Sequence, residues 1–213
     1  MRGVFITFEG GDGSGKSTQV RRLAAALEAA GADVLVLREP GGTPVGESVR
    51  EILLGPSHET MTPEAEFLLF AASRAELTLS VIAPALEAGR VVIDDRHADS
   101  SLAYQGYGRG LPLETVRAIN AFATGGLVPD CTIVLDIEPA VGIAAATGTA
   151  ADRLEREDIA FHERVRAGFL AIAEAEPERV KVVPRGDVDT VWRDVVTALA
   201  PVLSRAGIEL ESR

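Results

Sequence analysis

The feature that most constrains the fold is a glycine-rich turn near the start of the chain, between an apolar run and a helical segment. The run Val4 to Phe8 is apolar apart from one threonine, as expected of a strand buried on both faces. The following segment, Ser17 to Ala30, has apolar residues at helical spacing. A strand, a glycine turn and a helix in this order predict a βα unit of a parallel α/β fold. The two elements are joined by Glu9-Gly10-Gly11-Asp12-Gly13-Ser14-Gly15-Lys16-Ser17-Thr18.

The same alternation continues along the chain. Four further apolar runs predict strands: Val34 to Leu37, Val91 to Ile93, Thr132 to Leu135 and Val180 to Val183. Helical spacing marks four further segments: Pro63 to Ala88, Leu113 to Ala123, Arg153 to Ala175 and Val188 to Arg205. Runs without polar alternation belong to parallel sheets covered on both faces. We therefore expect an α/β, doubly wound domain with about five parallel strands flanked by helices, and one domain over residues 1–213.

Composition narrows the partners and the compartment. The chain has 213 residues, is 46% hydrophobic and 25% charged, and carries a net charge of −11, so we expect a folded protein that binds neither nucleic acid nor a membrane. Its single cysteine, Cys131, excludes an internal disulfide and is typical of a reducing compartment. The sequence has no signal-peptide pattern and no charge-free run of roughly 20 apolar residues, so we expect a cytoplasmic protein.

The glycine turn carries the pattern G-x-x-x-x-G-K-[ST], completed by Gly10, Gly15, Lys16 and Ser17. Glycines allow backbone N–H groups to face phosphate oxygens, and the helix N-terminus adds its positive end. Lys16 can reach the β- and γ-phosphates, and Ser17 offers a hydroxyl to Mg²⁺. The alternative is a glycine turn with a surface lysine, but the flanking strand and helix favour a nucleoside triphosphate site. Its binding residues would be Gly10, Gly11, Asp12, Gly13, Ser14, Gly15, Lys16, Ser17 and Thr18.

The chemistry done with the triphosphate is indicated by a second segment. The chain has no N-K-x-D motif, which excludes a guanine-reading GTPase switch. The run Val91 to Ile93 is followed by Asp94-Asp95-Arg96, so an acid and an arginine come directly after a strand. That pairing suits a site where Mg²⁺ and a second phosphate meet, and a small kinase is the simplest interpretation.

Three further segments predict the site of the phosphoryl acceptor. The loop Arg38-Glu39-Pro40-Gly41-Gly42-Thr43 follows the second strand, at the edge where open α/β sheets bind ligands. Phe67, Phe70 and Arg74 have the spacing of one helix face, on which a ring can stack on a base beside a hydrogen-bond donor. By themselves they could equally be two core rings with a solvated arginine. The third segment carries Asp95-Arg96-His97, Ser100 and Ala103-Tyr104-Gln105-Gly106.

Taken together, these segments resemble the bacterial thymidylate kinases, P-loop nucleoside monophosphate kinases that phosphorylate dTMP with ATP. The resemblance covers essentially the whole chain and adds Phe8-Glu9-Gly10 and Asp152-Arg153 to the motifs above. It implies a five-stranded parallel sheet flanked by helices, a short mobile lid at about residues 144–156, and a homodimer.

The resemblance also implies roles for individual residues. Those that would contact dTMP are Arg38, Phe70, Arg74, Asp95, Arg96, Ser100, Tyr104 and Gln105. Among them, Phe70 would stack on thymine and Arg74 would donate to its O4. The residues that would act in catalysis are Lys16, Arg96, Glu9 and Arg153, the last from the lid over the ATP phosphates. Those that would surround Mg²⁺ are Ser17, Glu9 and Asp95.

The chain departs from the family at the lid. Family members without an arginine in the P-loop usually carry several in the lid, yet this chain has Gly13 in the loop and alanine at the expected lid position, near Ala145. Only Arg153 and Arg156 remain nearby, so the sequence predicts low turnover with near-normal affinity for dTMP. Two alternatives stay open: another small P-loop kinase acting on dUMP, dCMP or a nucleoside, and a P-loop protein that binds nucleotide without turnover.

Overall fold

A computed structural model describes residues 2–55, 60–145 and 153–210. Its five strands form one sheet in which every pairing is parallel, with the order β2-β3-β1-β4-β5. The strands are β1 Phe5–Glu9, β2 Val34–Arg38, β3 Val91–Asp95, β4 Cys131–Asp136 and β5 Val180–Pro184. The predicted five-stranded parallel sheet is confirmed, with strand ends displaced by one or two residues.

The helices flank this sheet. The α-helices are α1 Lys16–Ala29, α2 Pro44–Leu54, α3 Pro63–Leu77, α4 Ala83–Glu87, α5 Ala98–Ser101, α6 Leu113–Ala123, α7 Pro139–Ala145, α8 Ile159–Ala175 and α9 Val188–Arg205. Two π-helical segments are π1 Thr78–Ile82 and π2 Leu102–Gly108. The helix predicted from Arg153 begins only at Ile159, because the Asp158 carboxylate accepts from the backbone N–H of Phe161 at 2.7 Å and caps α8 there.

The central strands β1, β3 and β4 are buried on both faces, as the apolar runs predict, whereas the edge strands β2 and β5 are partly exposed. In β1, Phe5 and Ile6 point to opposite faces and are both fully buried. Ile6 packs in a cluster with Leu23 of α1 and Leu199 of α9. Phe5 packs with Leu77 at the end of α3, on the other face. The structure is therefore the expected doubly wound α/β arrangement.

The continuous helical run Pro63–Glu87 is long and apolar enough to cross a membrane by length and composition alone. Its contacts are those of a core helix. Leu77 and Ile82 are fully buried in a cluster with residues of β1 and β3, and Glu66 and Arg74 form ion pairs inside the protein.

The functional segments meet at one edge of the sheet because parallel strands place their carboxyl ends together. The loops after β1, β2 and β3 all emerge there. Backbone hydrogen bonds extend the pairing beyond the strands, from Glu39 N to Asp95 O at 3.0 Å and from Arg96 N to Phe8 O at 2.9 Å. The glycine turn, the Arg38 loop and the Asp95-Arg96 segment are thereby fixed next to one another.

Candidate active site

A cavity of about 410 Å³ opens at this edge of the sheet. All eight residues predicted to contact dTMP line it, as do residues 12–18 of the glycine turn. Gly10 and Gly11, also predicted to bind the triphosphate, line a small neighbouring cavity between the turn, β4 and α8. The structure thus brings the two predicted halves of the site, the triphosphate loop and the acceptor segments, to one cavity.

The glycine turn is shaped by two close approaches. Gly10 and Gly13 both have positive φ, at 126° and 68°. A Cβ atom at position 10 would lie 2.4 Å from the carbonyl oxygen of Leu135, and one at position 13 would lie 2.1 Å from that of Gly142. The turn is therefore held directly against β4 and α7, and both positions require glycine for their conformation and for space.

Lys16 lies across the turn. Its ammonium donates to the carbonyl oxygens of Gly10 at 3.1 Å and Gly11 at 2.9 Å, and the side chain is buried. Burial, with the nearby charge of Arg96, lowers the pKa of Lys16 to about 8. The lysine is therefore held in place by backbone oxygens, which are weaker partners than phosphate oxygens would be.

Two of the three predicted magnesium ligands converge. The Ser17 hydroxyl donates to Oδ2 of Asp95 at 3.2 Å, and both residues line the cavity. A hydroxyl and a carboxylate are oxygen ligands of the kind that Mg²⁺ binds, and Mg²⁺ usually keeps several waters besides one or two such groups. These residues fit that ion at the mouth of the glycine turn.

Glu9, the third predicted ligand, is placed differently. Its carboxyl is fully buried and outside the cavity lining, where it accepts from the backbone N–H of His97 at 2.8 Å and from the hydroxyl of Ser100. Burial, with the negative charge of Asp99, raises the pKa of Glu9 to about 8, outweighing the effect of these hydrogen bonds. In this structure Glu9 holds Ser100 in position, and its predicted contact with Mg²⁺ stays a prediction.

Arg96 joins the glycine turn to the end of β3. It adopts φ of 75°, which is uncommon for a residue with a side chain, and such strain tends to occur at functional sites. Its guanidinium contacts Oδ1 of Asp12 at 2.6 Å, donates to Gly10 O at 3.0 Å and lies 5.1 Å above the ring of Tyr104. These contacts hold a cation at the wall of the cavity, beside the glycine turn.

Only two of the three residues on the predicted base-binding helix face line the cavity. Phe67 is buried in the core, whereas Phe70 is half-buried and lines the cavity, so only one of the two rings is available for stacking. Arg74 is 1% exposed and also lines the cavity, which excludes the solvated position that the sequence left open.

A serine that sequence reasoning missed contacts this arginine: Nη1 of Arg74 donates to Ser101 Oγ at 3.0 Å. Ser101 lines the cavity, but sequence reasoning selected its neighbour Ser100, since nothing local distinguishes two adjacent serines.

Two arginines on the acceptor side share a carbonyl. Arg38 is exposed, forms an ion pair with Glu47 at 3.1 Å and donates to Pro40 O at 3.2 Å. Arg50, which the sequence analysis did not select, donates to the same oxygen at 2.9 Å and also lines the cavity. It lies in α2, a helix that the periodicity did not reveal.

Arg153 lies outside the cavity lining, in contrast to its predicted position over the ATP phosphates. Its Nη1 is 2.6 Å from Oε2 of Glu66, and its Nε donates to Leu53 O at 3.4 Å. Glu66 also accepts from Arg109 and Gln105. Burial alone would raise the pKa of Glu66, but these hydrogen bonds and the charge of Arg109 lower it below its usual value. Acting on ATP would require Arg153 to leave this ion pair, so that role stays a prediction.

Part of the predicted lid lies outside the described residues. Positions 146–152, which include Asp152, belong to that part, whereas Ala145 ends α7 and is exposed. Leu154 and Glu155 line the cavity beyond the gap.

Comparisons with known proteins agree with this geometry. A family model described as thymidylate kinase matches residues 8–191. The chain is 56% identical over 183 residues to a thymidylate kinase of Deinococcus radiodurans, covering 85% of this chain and 88% of that protein. It is 51% identical over 203 residues to one of Symbiobacterium thermophilum, covering 95% of both. The crystal structure of thymidylate kinase from Ehrlichia chaffeensis superposes with a TM-score of 0.77 at 36% identity, covering 94% of this chain and 99% of that one.

Proposed function

The chain belongs to the thymidylate kinase family, whose members phosphorylate dTMP to dTDP, and from this premise we propose how its own residues perform that transfer. The observation that carries the proposal is the single cavity lined by all eight predicted dTMP residues together with residues 12–18. One cavity for both substrates is what direct transfer between them requires.

At the donor end, ATP would bind with its phosphates on the glycine turn. The positive φ of Gly10, Gly13 and Gly15 turns the loop around this end of the cavity, and the N-terminus of α1 begins at Lys16. The Lys16 ammonium would exchange its backbone carbonyl partners for phosphate oxygens. Ser17 and Asp95 would hold Mg²⁺, whose charge offsets that of the phosphates.

At the acceptor end, Arg38 and Arg96 would hold the phosphate of dTMP. Phe70 would stack on thymine, and Tyr104 would pack against the deoxyribose. An oxygen of the dTMP phosphate then attacks the γ-phosphorus in line, and the side chains supply positioning and positive charge with no covalent intermediate.

Base choice tests this assignment. Arg74 donates, so it suits a carbonyl oxygen at position 4 of the pyrimidine and leaves an amino group at that position without an acceptor. We expect dCMP to be rejected by at least roughly 10²-fold in kcat/KM. dUMP lacks one methyl group, worth about 0.8 kcal/mol when buried, and should be used only several-fold less well.

The measurement is ADP formation in a coupled assay with each nucleotide in turn. Equal use of dCMP would contradict the base assignment. ADP release that does not depend on any added nucleotide would contradict a kinase, and tight ATP binding without ADP would support the binding-protein alternative.

We also propose that the enzyme is a cytoplasmic homodimer that associates through α3, π1 and α6. Exposed apolar side chains gather on this side: Phe122 is 86% exposed and Leu79 57% exposed, with Leu68 also exposed on α3. Leu79 reaches the turn after α6, within 3.3 Å of a Cβ position at Gly125, so the elements adjoin. A second copy of the chain presenting the same side would cover them.

The dimer is tested by light scattering during size-exclusion chromatography. Phe122→Glu should yield the monomer mass at concentrations where the parent chain is dimeric. Val188→Glu is the matched control, because Val188 is an exposed apolar residue at the start of α9. A parent chain that elutes with the monomer mass would refute the proposal.

A further inference from the structure

A network of buried charges surrounds Arg74, and the phosphoryl-transfer residues do not account for it. The side chains of Glu39, Asp94 and His97 are each at most 2% exposed. Nη2 of Arg74 is 2.9 Å from Oε2 of Glu39, and Nδ1 of His97 is 2.8 Å from the other oxygen of that carboxylate. Buried charges are costly unless they are paired, and replacing them by apolar groups is often neutral or stabilising. The network therefore calls for a role other than stability.

The Glu39 carboxylate lies between two side chains that hold both of its oxygens. Its Oε2 faces the Arg74 guanidinium, and its Oε1 faces Nδ1 of His97, which is also 3.4 Å from Oδ2 of Asp94. Glu39, Asp94 and His97 have the spacing of a metal site, yet both Glu39 oxygens already face these two side chains.

The remaining contacts fix the guanidinium from other elements. Nη1 of Arg74 donates to Asn120 Oδ1 at 2.8 Å, and Nη2 donates to the carbonyl oxygen of His97 at 3.0 Å. The Asn120 amide is itself oriented, since its Nδ2 donates to Ala98 O at 3.1 Å. Arginine has a flexible side chain, and holding it before a ligand arrives removes an ordering cost from binding.

We propose that Glu39 and His97 are positioning residues for base recognition: they hold the Arg74 guanidinium in the orientation that distinguishes a 4-carbonyl pyrimidine from a 4-amino one. The proposal rests on the base-reading role of Arg74 given above. Without the Glu39 charge, the guanidinium keeps its neutral partners Ser101 and Asn120 but loses its only ion pair among the described contacts. A less fixed donor makes a poorer contact with the correct base and a smaller penalty with the wrong one.

The test uses Glu39→Gln, which keeps the size of the side chain and removes its charge. We expect the KM for dTMP to rise about tenfold and the dTMP-to-dCMP ratio of kcat/KM to fall about tenfold. The kcat at saturating dTMP and the KM for ATP should change less than about threefold, because the network contacts the base end. Asp33→Asn is the matched control: Asp33 precedes β2 at its other end and pairs with Arg90 at 3.0 Å on the surface.

A second pair of variants tests His97. His97→Asn retains a side-chain donor near the position of Nδ1, and we expect it to keep most of the base selectivity. His97→Ala removes that donor and should reproduce the selectivity loss of Glu39→Gln. Its backbone N–H and carbonyl, which contact Glu9 and Arg74, remain in both variants.

The outcomes distinguish a failure of the positioning role of Glu39 and His97 from a failure of the base-reading role of Arg74. If Arg74→Ala leaves the dTMP-to-dCMP ratio unchanged, Arg74 does not read the base. If Arg74→Ala collapses that ratio while Glu39→Gln lowers only the melting temperature, the network is merely structural and the positioning role is overturned. Should Glu39→Gln fail to fold, the His97 pair decides: equal selectivity in His97→Ala and His97→Asn overturns the proposal.

Discussion

The absence of the expected lid arginine near Ala145 leads to a prediction about where a cation would have to be added. Helix α7 touches the glycine turn at Gly142, where a Cβ atom would lie 2.4 Å from Asp12 O. The reciprocal contact leaves no room for a side chain at Gly13, so an arginine at position 13 would have to displace α7. Ala145 follows Gly142 by three residues, about 4.5 Å along the helix axis and within about 60° around it. A cation at position 145 would therefore start on the side of α7 that faces the turn.

We expect Ala145→Arg to raise kcat at least about tenfold, which is about 1.4 kcal/mol in the barrier. A unit charge about 4 Å from a phosphoryl oxygen interacts by about 4 kcal/mol at an effective dielectric constant near 20, so tenfold allows for the ordering of a long side chain. The contact strengthens as charge develops in the transition state, so KM for dTMP should hardly change. Coupled ADP formation at saturating ATP measures both constants.

Ala144→Arg is the matched control. It adds the same charge to the same exposed end of α7, but about 200° around the helix from Gly142. Equal gains in both variants would indicate a general charge effect on a chain of net charge −11. An unchanged kcat in Ala145→Arg, with activity abolished by Arg153→Ala or Arg156→Ala, would refute the missing-cation account and assign the cation to one of those arginines.

Three further outcomes are expected. Lys16→Ala should lower kcat roughly 10²-fold or more in the coupled assay while Lys181→Ala does not, and retention of half the activity would contradict the phosphate-loop assignment. Arg153→Ala should lower the free energy of unfolding by about 2 kcal/mol and the melting temperature by about 4–8 °C. The loss is limited because Glu66 keeps its other partners, and the surface variant Arg117→Ala should change stability little. The pKa of Glu66 lies below its usual value, so its stabilisation is present above about pH 4.3 and is lost as the pH falls through the folded-state pKa. Glu66→Gln should therefore flatten the acid side of a stability–pH curve, and an unchanged slope would contradict this.

The sheet was predictable from the sequence because its central strands β1, β3 and β4 are buried on both faces and read as apolar runs. The helices were less predictable from the sequence than the strands. Helix α2 carries readable signals, since Thr43 accepts from the N–H of Gly46 at 2.9 Å as an N-cap and Pro44 follows it, but the segment follows a loop rich in glycine. The segment predicted as one helix from Pro63 to Ala88 is a continuous helical run to Glu87, although π1 departs from the 3.6-residue period, whereas π2 falls where no helix was predicted.

Among the predicted residues that line the cavity, those at strand ends or in the glycine turn are brought together by topology alone, whereas Phe70 and Arg74 reach it from a helix face chosen by sequence reasoning. Those that it missed depend on packing between distant elements. Asn120 meets Arg74 across 46 positions because α6 lies against α3, and no local pattern marks it. Arg153 was placed by its motif alone, and its contact with Glu66 depends on a buried acid 87 positions away.

The protein has a net charge of −11, yet cations line its cavity. These cations already have partners in the protein. Arg96 faces Asp12, Arg38 faces Glu47, and Lys16 rests on backbone carbonyls. Long-range attraction from an acidic protein cannot bring two anionic nucleotides together, so their binding relies on short-range contacts with cations held ready by acidic neighbours. Each phosphate must then exchange with, or add to, an existing partner. The exchange is easiest where that partner is exposed, as at Glu47, and hardest where it is buried, as at Glu39. With the roles proposed here, the phosphate end of the site would be left free to rearrange during transfer, while the base end would stay fixed.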